Sequence, residues 1–188
     1  MSKPFVLLKS RKVLISVGIV AIVVVIGTIL MGSFSTTTSA APNFQLRTIE
    51  GNHISLASFK GKPVILWFMA AWCPTCVGQS EAITKVKSEF GNKVDLLVID
   101  MWTTQAIGGN SADGKQSETA KDLQDFLAKH GNSKWKAALD TDKAILKYGI
   151  IEVDSTVIVD KNGNVAFKNL GSTGYQSLRD AVSRIATT

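Results

Sequence analysis

The only two cysteines of the chain, Cys73 and Cys76, enclose a proline and a threonine and form the motif Cys-Pro-Thr-Cys. An uninterrupted apolar run over residues 63–69 precedes the motif, as is typical of a strand buried on both faces. A helix is expected to begin at Pro74, because proline is favoured in the first turn of a helix. The free N–H groups and partial positive charge at a helix N-terminus stabilise a thiolate at Cys73. The spacing therefore predicts a redox-active dithiol, in which Cys73 attacks a disulfide and Cys76 resolves the mixed disulfide.

The residues around the two cysteines fit this chemistry. Pro74 presets the turn between them, Thr75 completes the motif, and Trp72 offers a large apolar surface beside the reactive sulfur for an exposed peptide. A structural disulfide is one alternative, although so short a loop stabilises a fold by only about 2 kcal/mol. A metal pair is another alternative, but it needs further ligands. The two histidines, His53 and His130, are far apart in sequence and lack ligand spacing.

The overall composition excludes several classes of protein. The chain has 188 residues, of which 45% are hydrophobic and 19% charged, so it is too apolar for a disordered protein. Two cysteines form neither a disulfide framework nor a four-thiolate zinc site. Of the net charge of +6, residues 1–41 carry +4 and residues 42–188 carry +2. Because the basic excess lies mostly at the N-terminus, nucleic-acid binding is not indicated.

The N-terminal segment has the pattern of a membrane anchor. Residues 13–31 are uncharged, and a helix of that length spans roughly 29 Å, about the hydrocarbon thickness of a bilayer. The four positive charges before it predict that residues 1–12 form a cytoplasmic tail and that the remainder lies outside the cytoplasm. A cleaved signal peptide is the alternative, although Pro42 is a poor residue to follow a cleavage site. Residues 32–41 are predicted to be a flexible linker to a single domain over residues 42–188.

The domain itself shows alternating strand and helix patterns. Strands are predicted over residues 43–47, 53–56, 63–69, 94–101, 156–160 and 165–168, the last two as a hairpin. Helices are predicted around three sets of apolar positions: Ile83, Val86 and Phe90; Ala120, Leu123, Phe126 and Leu127; and Tyr175, Leu178, Val182 and Ile185. A short helix capped by Asp140 and a polar loop over residues 102–115 complete the pattern. This order predicts an α/β fold with a mixed central β-sheet flanked by helices.

A family resemblance is carried by the stretch that runs from Pro42 through the Lys60-Gly61-Lys62-Pro63-Val64 turn to Trp72-Cys73-Pro74-Thr75-Cys76. This stretch resembles the membrane-anchored, thioredoxin-like thiol–disulfide oxidoreductases of the TlpA/ResA and cytochrome c maturation type. The resemblance extends to the segment Val157-Ile158-Val159-Asp160-Lys161-Asn162-Gly163. It implies a thioredoxin-like fold preceded by one N-terminal transmembrane helix, with Cys73 as the exposed nucleophile and Cys76 as the resolving cysteine. It also implies reduction of disulfides in exported proteins, often apocytochrome c, with a membrane electron donor and no cofactor beyond the dithiol.

One departure from this family concerns the residue that normally faces the dithiol. The family usually has a cis-proline shortly before the strand of the C-terminal hairpin, and counting back six from Asp160 places Asp154 there. No proline occurs after Pro74, so a cis-proline is excluded. A carboxylate at this position could accept a proton from Cys76, or it could oppose thiolate formation by charge repulsion. Alternatively, Asp154 points away into a turn or caps nearby N–H groups.

A second departure lies six residues before Cys73, where thioredoxin-like proteins often have an acid or an asparagine beneath the second cysteine. This chain has Trp67 there, which is expected to fill the core. Another group or water must then take the proton, and Glu81 and Asp100 are candidate substitutes.

Two other thioredoxin-fold families leave alternatives open. The stretch Val153-Asp154-Ser155-Thr156 is similar to the Sco-type copper chaperones, which carry Asp-His at this site and three residues between their cysteines. Ser155 replaces that histidine, so copper(I) binding by Cys73 and Cys76 is kept as the alternative function. Peroxiredoxins have threonine three residues before the reactive cysteine, where this chain has Ala70, so a peroxidase is disfavoured.

Overall fold

The computed structural model of the chain describes residues 39–107 and 116–186. The predicted tail, the predicted anchor and the linker up to residue 38 lie outside the described residues, as do residues 108–115 of the polar loop. Within those two described ranges, no helix is long and apolar enough to cross a membrane.

The described domain is built on a mixed seven-stranded sheet. Its strands are β1 (Gln45–Thr48), β2 (His53–Ser55), β3 (Val64–Met69), β4 (Asp95–Asp100), β5 (Lys136–Leu139), β6 (Ser155–Val159) and β7 (Val165–Asn169). They are arranged in the order β2-β1-β5-β4-β3-β6-β7. Strands β3, β4 and β5 run parallel, whereas β6 is antiparallel to β3, β7 to β6, and β1 to both β5 and β2.

Five α-helices accompany the sheet in the described residues. They are α1 (Pro74–Phe90), α2 (Thr104–Ile107), α3 (Ala120–His130), α4 (Ala144–Lys147) and α5 (Tyr175–Ala186), and short 3₁₀ turns cover Leu56–Phe59 and Gly91–Lys93. The predicted α/β class, the strand–helix order and the C-terminal hairpin are therefore confirmed. Two elements differ from the prediction: α2 lies within the stretch predicted as a loop, and β5 was missed.

Strand β5 was missed because its four residues, Lys-Ala-Ala-Leu, carry little strand preference of their own. Tertiary pairing makes them a strand, since they lie between β4 on one side and β1 on the other. Asp140 follows β5 directly and is fully buried, and its carboxylate accepts the N–H groups of Ala144 and Ile145 at 2.8 and 3.0 Å. The predicted cap of the short helix α4 is thus present.

Strand β3 is the central element of the core, because all six of its side chains are buried. Side chains alternate across a strand, so Ile65, Trp67 and Met69 lie in one apolar cluster. That cluster also contains the apolar faces of α1, α3 and α5. Val64, Leu66 and Phe68 lie in the opposite cluster with residues of α4 and the N-terminal hairpin. A strand covered on both faces gives the loop that follows it a rigid base.

Candidate active site

The two thiols lie where the carboxyl end of β3 meets the N-terminus of α1. Cys73 is the N-cap residue of α1, and its N–H donates to the Ala70 carbonyl oxygen at 3.1 Å. Pro74 occupies the start of the helix, as the sequence predicts. Both cysteines are free thiols; Cys73 is 4% exposed and Cys76 is fully buried. A substrate sulfur can therefore reach only the edge of Cys73, and Cys76 has to act from beneath it.

Hydrogen bonding makes the two thiols electrostatically unequal. The Cys76 thiol donates to the Cys73 sulfur and, with smaller contributions from Thr75 and the Cys76 N–H, lowers the pKa of Cys73 to about 6, although burial opposes the shift. The Thr75 hydroxyl lies 3.2 Å from the Cys73 Sγ. The same hydrogen bond and burial raise the pKa of Cys76. At neutral pH Cys73 is therefore a thiolate and Cys76 a thiol, as nucleophilic attack followed by resolution requires.

Asp154 lies beside both sulfurs, at the position that the sequence indicates. The antiparallel register pairs Phe68 of β3 with Ser155 of β6, which brings the preceding residue Asp154 to the carboxyl end of β3. Its carboxylate oxygen and the sulfurs of Cys73 and Cys76 all lie within 4.8 Å of one another. The Asp154 side chain is fully buried, and its negative charge raises the pKa of both thiols. Of the two orientations left open by the sequence, the structure has the one that faces the dithiol.

The backbone at Asp154 also differs from what proline would require. Asp154 has a φ of 69°, in the left-handed region that aspartate tolerates better than most residues. Proline is restricted to a φ near −65°, so it cannot adopt this backbone conformation. The replacement of the family's usual proline by Asp154 thus changes the local backbone conformation as well as the side chain.

Trp67 fills the core as expected and also holds the carboxylate. The indole is fully buried and packs at a tilt against Phe126, with 6.1 Å between ring centroids. Its Nε1–H donates to the Asp154 Oδ1 at 2.9 Å. The second oxygen, Oδ2, is buried and has no hydrogen-bond partner in the described structure. The indole therefore fixes one carboxylate oxygen, and the other is left without a hydrogen-bond partner in the described structure.

The two substitute acids suggested by the sequence lie in different environments. Glu81 is exposed on α1. Asp100 is fully buried at the end of β4, where its Oδ1 accepts the Trp102 N–H at 2.8 Å. Burial first, and repulsion from Glu118 second, raise the pKa of Asp100. Neither acid belongs to the cluster formed by Cys73, Cys76 and Asp154.

Glu118 is a site residue that the sequence does not reveal. Its two carboxylate oxygens accept the N–H groups of Ala71 and Trp72 at 2.7 and 2.9 Å, so it holds the chain just before Cys73. Its own N–H donates to the Trp102 carbonyl oxygen at 2.8 Å. No local pattern marks it, because Glu118 is 47 residues from Ala71 and directly follows a polar loop. Burial, the largest effect, raises its pKa, as it does for Asp100.

The buried carboxyl of Asp100 predicts a specific pH dependence of stability. Its pKa is raised from 3.8 to about 8, so between these values the folded chain holds a proton that the unfolded chain releases. The free energy of unfolding should therefore fall as pH rises from 5 to 8, by up to about 1.4 kcal/mol per pH unit. The Asp100→Asn variant should have a flatter profile, measured by urea unfolding with tryptophan fluorescence. Parallel profiles for the wild type and this variant would contradict the assignment, and Asp125→Asn, at an exposed position, is the matched control.

A groove beside Trp72 offers space for a bound polypeptide. Trp72 is 37% exposed and packs edge-on against Trp102, with ring centroids 4.9 Å apart. The groove has a volume of about 380 Å³ and is lined by Trp72, Glu118, Phe126 and His130, among others. Its position next to the Cys73 loop is consistent with the docking surface that the sequence suggests for Trp72.

Residues 37–168 match the AhpC/TSA family, which is 132 of the 188 residues. The thiol-disulfide oxidoreductase ResA of Bacillus thuringiensis subsp. konkukian is 26% identical over 147 residues, which cover 77% of this chain and 76% of that protein. A thioredoxin-like protein from Aeropyrum pernix has a similar structure, with a TM-score of 0.68 and 31% identity over 76% of this chain and 89% of that one. Peroxiredoxin Q of Oryza sativa subsp. japonica is 31% identical over 134 residues, which cover 69% of this chain and 56% of that protein.

These similarities agree with the position of the Cys-Pro-Thr-Cys motif between β3 and α1. They also agree with the family resemblance found in the sequence. The thioredoxin-like fold and the resemblance to the TlpA/ResA type are thereby confirmed. The chain therefore belongs to the AhpC/TSA family and is a thiol–disulfide oxidoreductase of the ResA type within the thioredoxin superfamily.

Proposed function

We propose that the chain is a membrane-anchored enzyme that reduces disulfides in exported proteins through Cys73 and Cys76. The observation that carries this proposal is the inequality of the two thiols at the N-terminus of α1. Cys73 has a pKa of about 6, whereas the pKa of Cys76 is raised by its hydrogen bond to Cys73 and by burial. A low-pKa thiol at the edge of the surface with a protonated partner beneath it fits disulfide exchange better than a passive bridge.

The reaction proceeds in two exchange steps. The Cys73 thiolate attacks one sulfur of the substrate disulfide, that S–S bond breaks, and one substrate cysteine leaves as a thiolate. Cys76 then loses its proton and attacks the Cys73 sulfur, which releases the second substrate thiolate and forms the Cys73–Cys76 disulfide. Two electrons pass from the dithiol to the substrate, and a dithiol donor at the membrane must return them.

Asp154 is the group best placed to take the proton from Cys76. Its carboxylate lies within 4.8 Å of both sulfurs, and its Oδ2 has no donor in the described structure. The Trp67 indole holds the other oxygen, so the carboxylate is oriented before the reaction begins. Trp67 occupies the position where related proteins often have an acid, and in this chain the carboxylate comes instead from the segment before β6.

The electrostatics of the site support reduction rather than oxidation. A thiol pKa near 3.5 accompanies a strong oxidant such as DsbA, because the reduced form is stabilised, whereas thioredoxin has a pKa of about 7. Cys73, at about 6, lies closer to thioredoxin. The buried Asp154 carboxylate further opposes thiolate formation and so favours the disulfide form of the enzyme.

The N-terminal sequence pattern supports a location at the membrane. The apolar segment over residues 13–31 would anchor the chain, with residues 1–12 in the cytoplasm and residues 42–188 outside it, where disulfides form. Substrates would dock along the groove beside Trp72 and present a disulfide to Cys73. Apocytochrome c is the candidate substrate suggested by the family resemblance.

The Cys76→Ser variant tests this function directly. Without the resolving thiol, the Cys73 mixed disulfide should accumulate, so exported proteins should be captured by the variant and released by dithiothreitol. The Cys73→Ser/Cys76→Ser variant is the matched control and should capture none. Absence of dithiothreitol-sensitive adducts with exported proteins would reject the proposal.

The direction of electron flow is decided by the reduction potential of the full-length chain, purified in detergent. A reductase should have a potential near or below about −250 mV, whereas a value near −120 mV would indicate an enzyme that introduces disulfides. Reduction of hydrogen peroxide in preference to protein disulfides would instead indicate a peroxidase.

A further inference from the structure

We propose that the reduced Cys73 and Cys76 thiolates and the Asp154 carboxylate form a three-ligand binding site for Zn²⁺. Metal binding at this site is a different process from disulfide exchange, although both use the same two sulfurs. It is the only cluster of its kind among residues 39–107 and 116–186, where no other three histidine, cysteine, aspartate or glutamate side chains come together in this way.

The spacing of the three donors suits a metal ion. Zinc bonds of about 2.3 Å to sulfur and about 2.0 Å to oxygen place tetrahedral ligand atoms about 3.5–3.8 Å apart. The donor atoms of Cys73, Cys76 and Asp154 all lie within 4.8 Å of one another before any metal is bound. A contraction of about 1 Å through side-chain rotation is therefore enough to close the site. Three protein ligands leave the fourth position for water.

The Asp154 carboxylate is prepared as a ligand. Its Oδ1 accepts the Trp67 Nε1–H at 2.9 Å, and an outer hydrogen bond of this kind orients a metal-binding carboxylate. Its Oδ2 is buried and has no hydrogen-bond partner in the described structure. A buried carboxylate oxygen without a donor is costly, and coordination to a cation would remove that cost.

Charge and ligand softness favour zinc over copper(I). Two thiolates and one carboxylate bring three negative charges into a buried space, and a divalent cation neutralises more of this charge than a monovalent one. Copper(I) binds well to soft thiolates alone and gains little from a hard carboxylate oxygen. Zinc accepts sulfur and oxygen ligands together in tetrahedral geometry. Asp154 is therefore the residue that distinguishes the two metals.

Zinc binding would make the dithiol unavailable for exchange. Both sulfurs would be engaged as ligands, so neither could attack a substrate disulfide until the metal left. The oxidised protein should not bind, because a disulfide offers no thiolate. The site would thus hold the enzyme in a reduced and inactive form.

The test is a zinc titration of the reduced, metal-free, full-length chain in detergent against a chromogenic chelator. We expect one Zn²⁺ per chain, and we expect Asp154→Asn to weaken the affinity by at least about 10-fold. Asparagine keeps the acceptor for the Trp67 indole but removes the charge. The matched control is Glu81→Gln, which removes an exposed carboxylate from α1 and should leave zinc affinity unchanged.

X-ray absorption at the zinc edge of the wild-type complex gives an independent measurement that requires no variant to fold. Two sulfur neighbours at about 2.3 Å together with oxygen neighbours at about 2.0 Å are expected. A shell of sulfur alone, unchanged zinc affinity in Asp154→Asn, or copper(I) binding of equal strength in both proteins without zinc binding would overturn the proposal. Disulfide exchange measured with a chelator present does not depend on this result, so the two proposals fail separately.

Discussion

Replacing Cys73 with serine is expected to lower the rate of protein-disulfide reduction by on the order of 10³-fold or more, since a serine hydroxyl at neutral pH is a very weak nucleophile. The pre-reduced chain would be mixed with a fluorescent peptide disulfide in a single turnover, so that no external reductant contributes to the signal. Cys73 is the less buried of the two cysteines, at 4% exposed, and has a pKa of about 6, so the first exchange step depends on it.

The Cys76→Ser variant separates the two steps in the same assay. It should still release the first equivalent of peptide thiol, because the Cys73 sulfur remains, but it should not release the second. Glu81→Gln is the control for handling and folding and should behave like the wild type. If Cys73→Ser retained rapid peptide release, or if Cys76→Ser released both thiols, the assignment of nucleophile and resolving cysteine would be wrong.

Replacing Asp154 with asparagine should have two opposite effects on the two steps. The pKa of Cys73 should fall further below 6, because the variant lacks a like charge that now raises it. The rate at which Cys76 resolves the mixed disulfide should fall by about 10²-fold, because the buried thiol loses its proton acceptor. The first effect is measured by iodoacetamide reaction of Cys73 against pH, and the second by rapid acid quenching of the mixed disulfide.

This combination distinguishes a proton-transfer role from a merely structural one. A variant that was only loosened would show slower chemistry in both steps and no downward shift of the Cys73 pKa. Asparagine tolerates the left-handed φ of 69° at this position and retains an oxygen for the Trp67 indole, so the local chain path should persist. An unchanged resolution rate would show that water, and not Asp154, receives the proton.

The fold was largely predictable because its signals are local. The fully apolar run of β3 and the proline at the start of α1 each act within a few residues. Strand β5 and the short helix α2 were not predictable in the same way. The residues of β5 have weak strand preference and pair only because β4 and β1 lie on either side.

The surroundings of the dithiol were predictable only in part. The family resemblance, with the count of six residues back from Asp160, predicts that Asp154 occupies the position facing the dithiol, but it leaves the direction of the side chain open. No local sequence pattern indicates that Trp67 donates a hydrogen bond to Asp154. Nor does any local pattern indicate that Glu118 accepts the N–H groups of Ala71 and Trp72. These contacts span 87 and 47 residues of the chain.

The sequence by itself determined the chemistry that this protein carries: a dithiol with two-residue spacing at a helix N-terminus, where the helix start favours a thiolate. The tertiary structure decided the environment in which that chemistry takes place. The antiparallel register of β6 against β3 brings the Asp154 carboxylate to the sulfurs and under the Trp67 indole. The residues that pair in this register, such as Phe68 and Ser155, are far apart in the chain and are not joined by a hairpin turn, so no short stretch of residues contains that information.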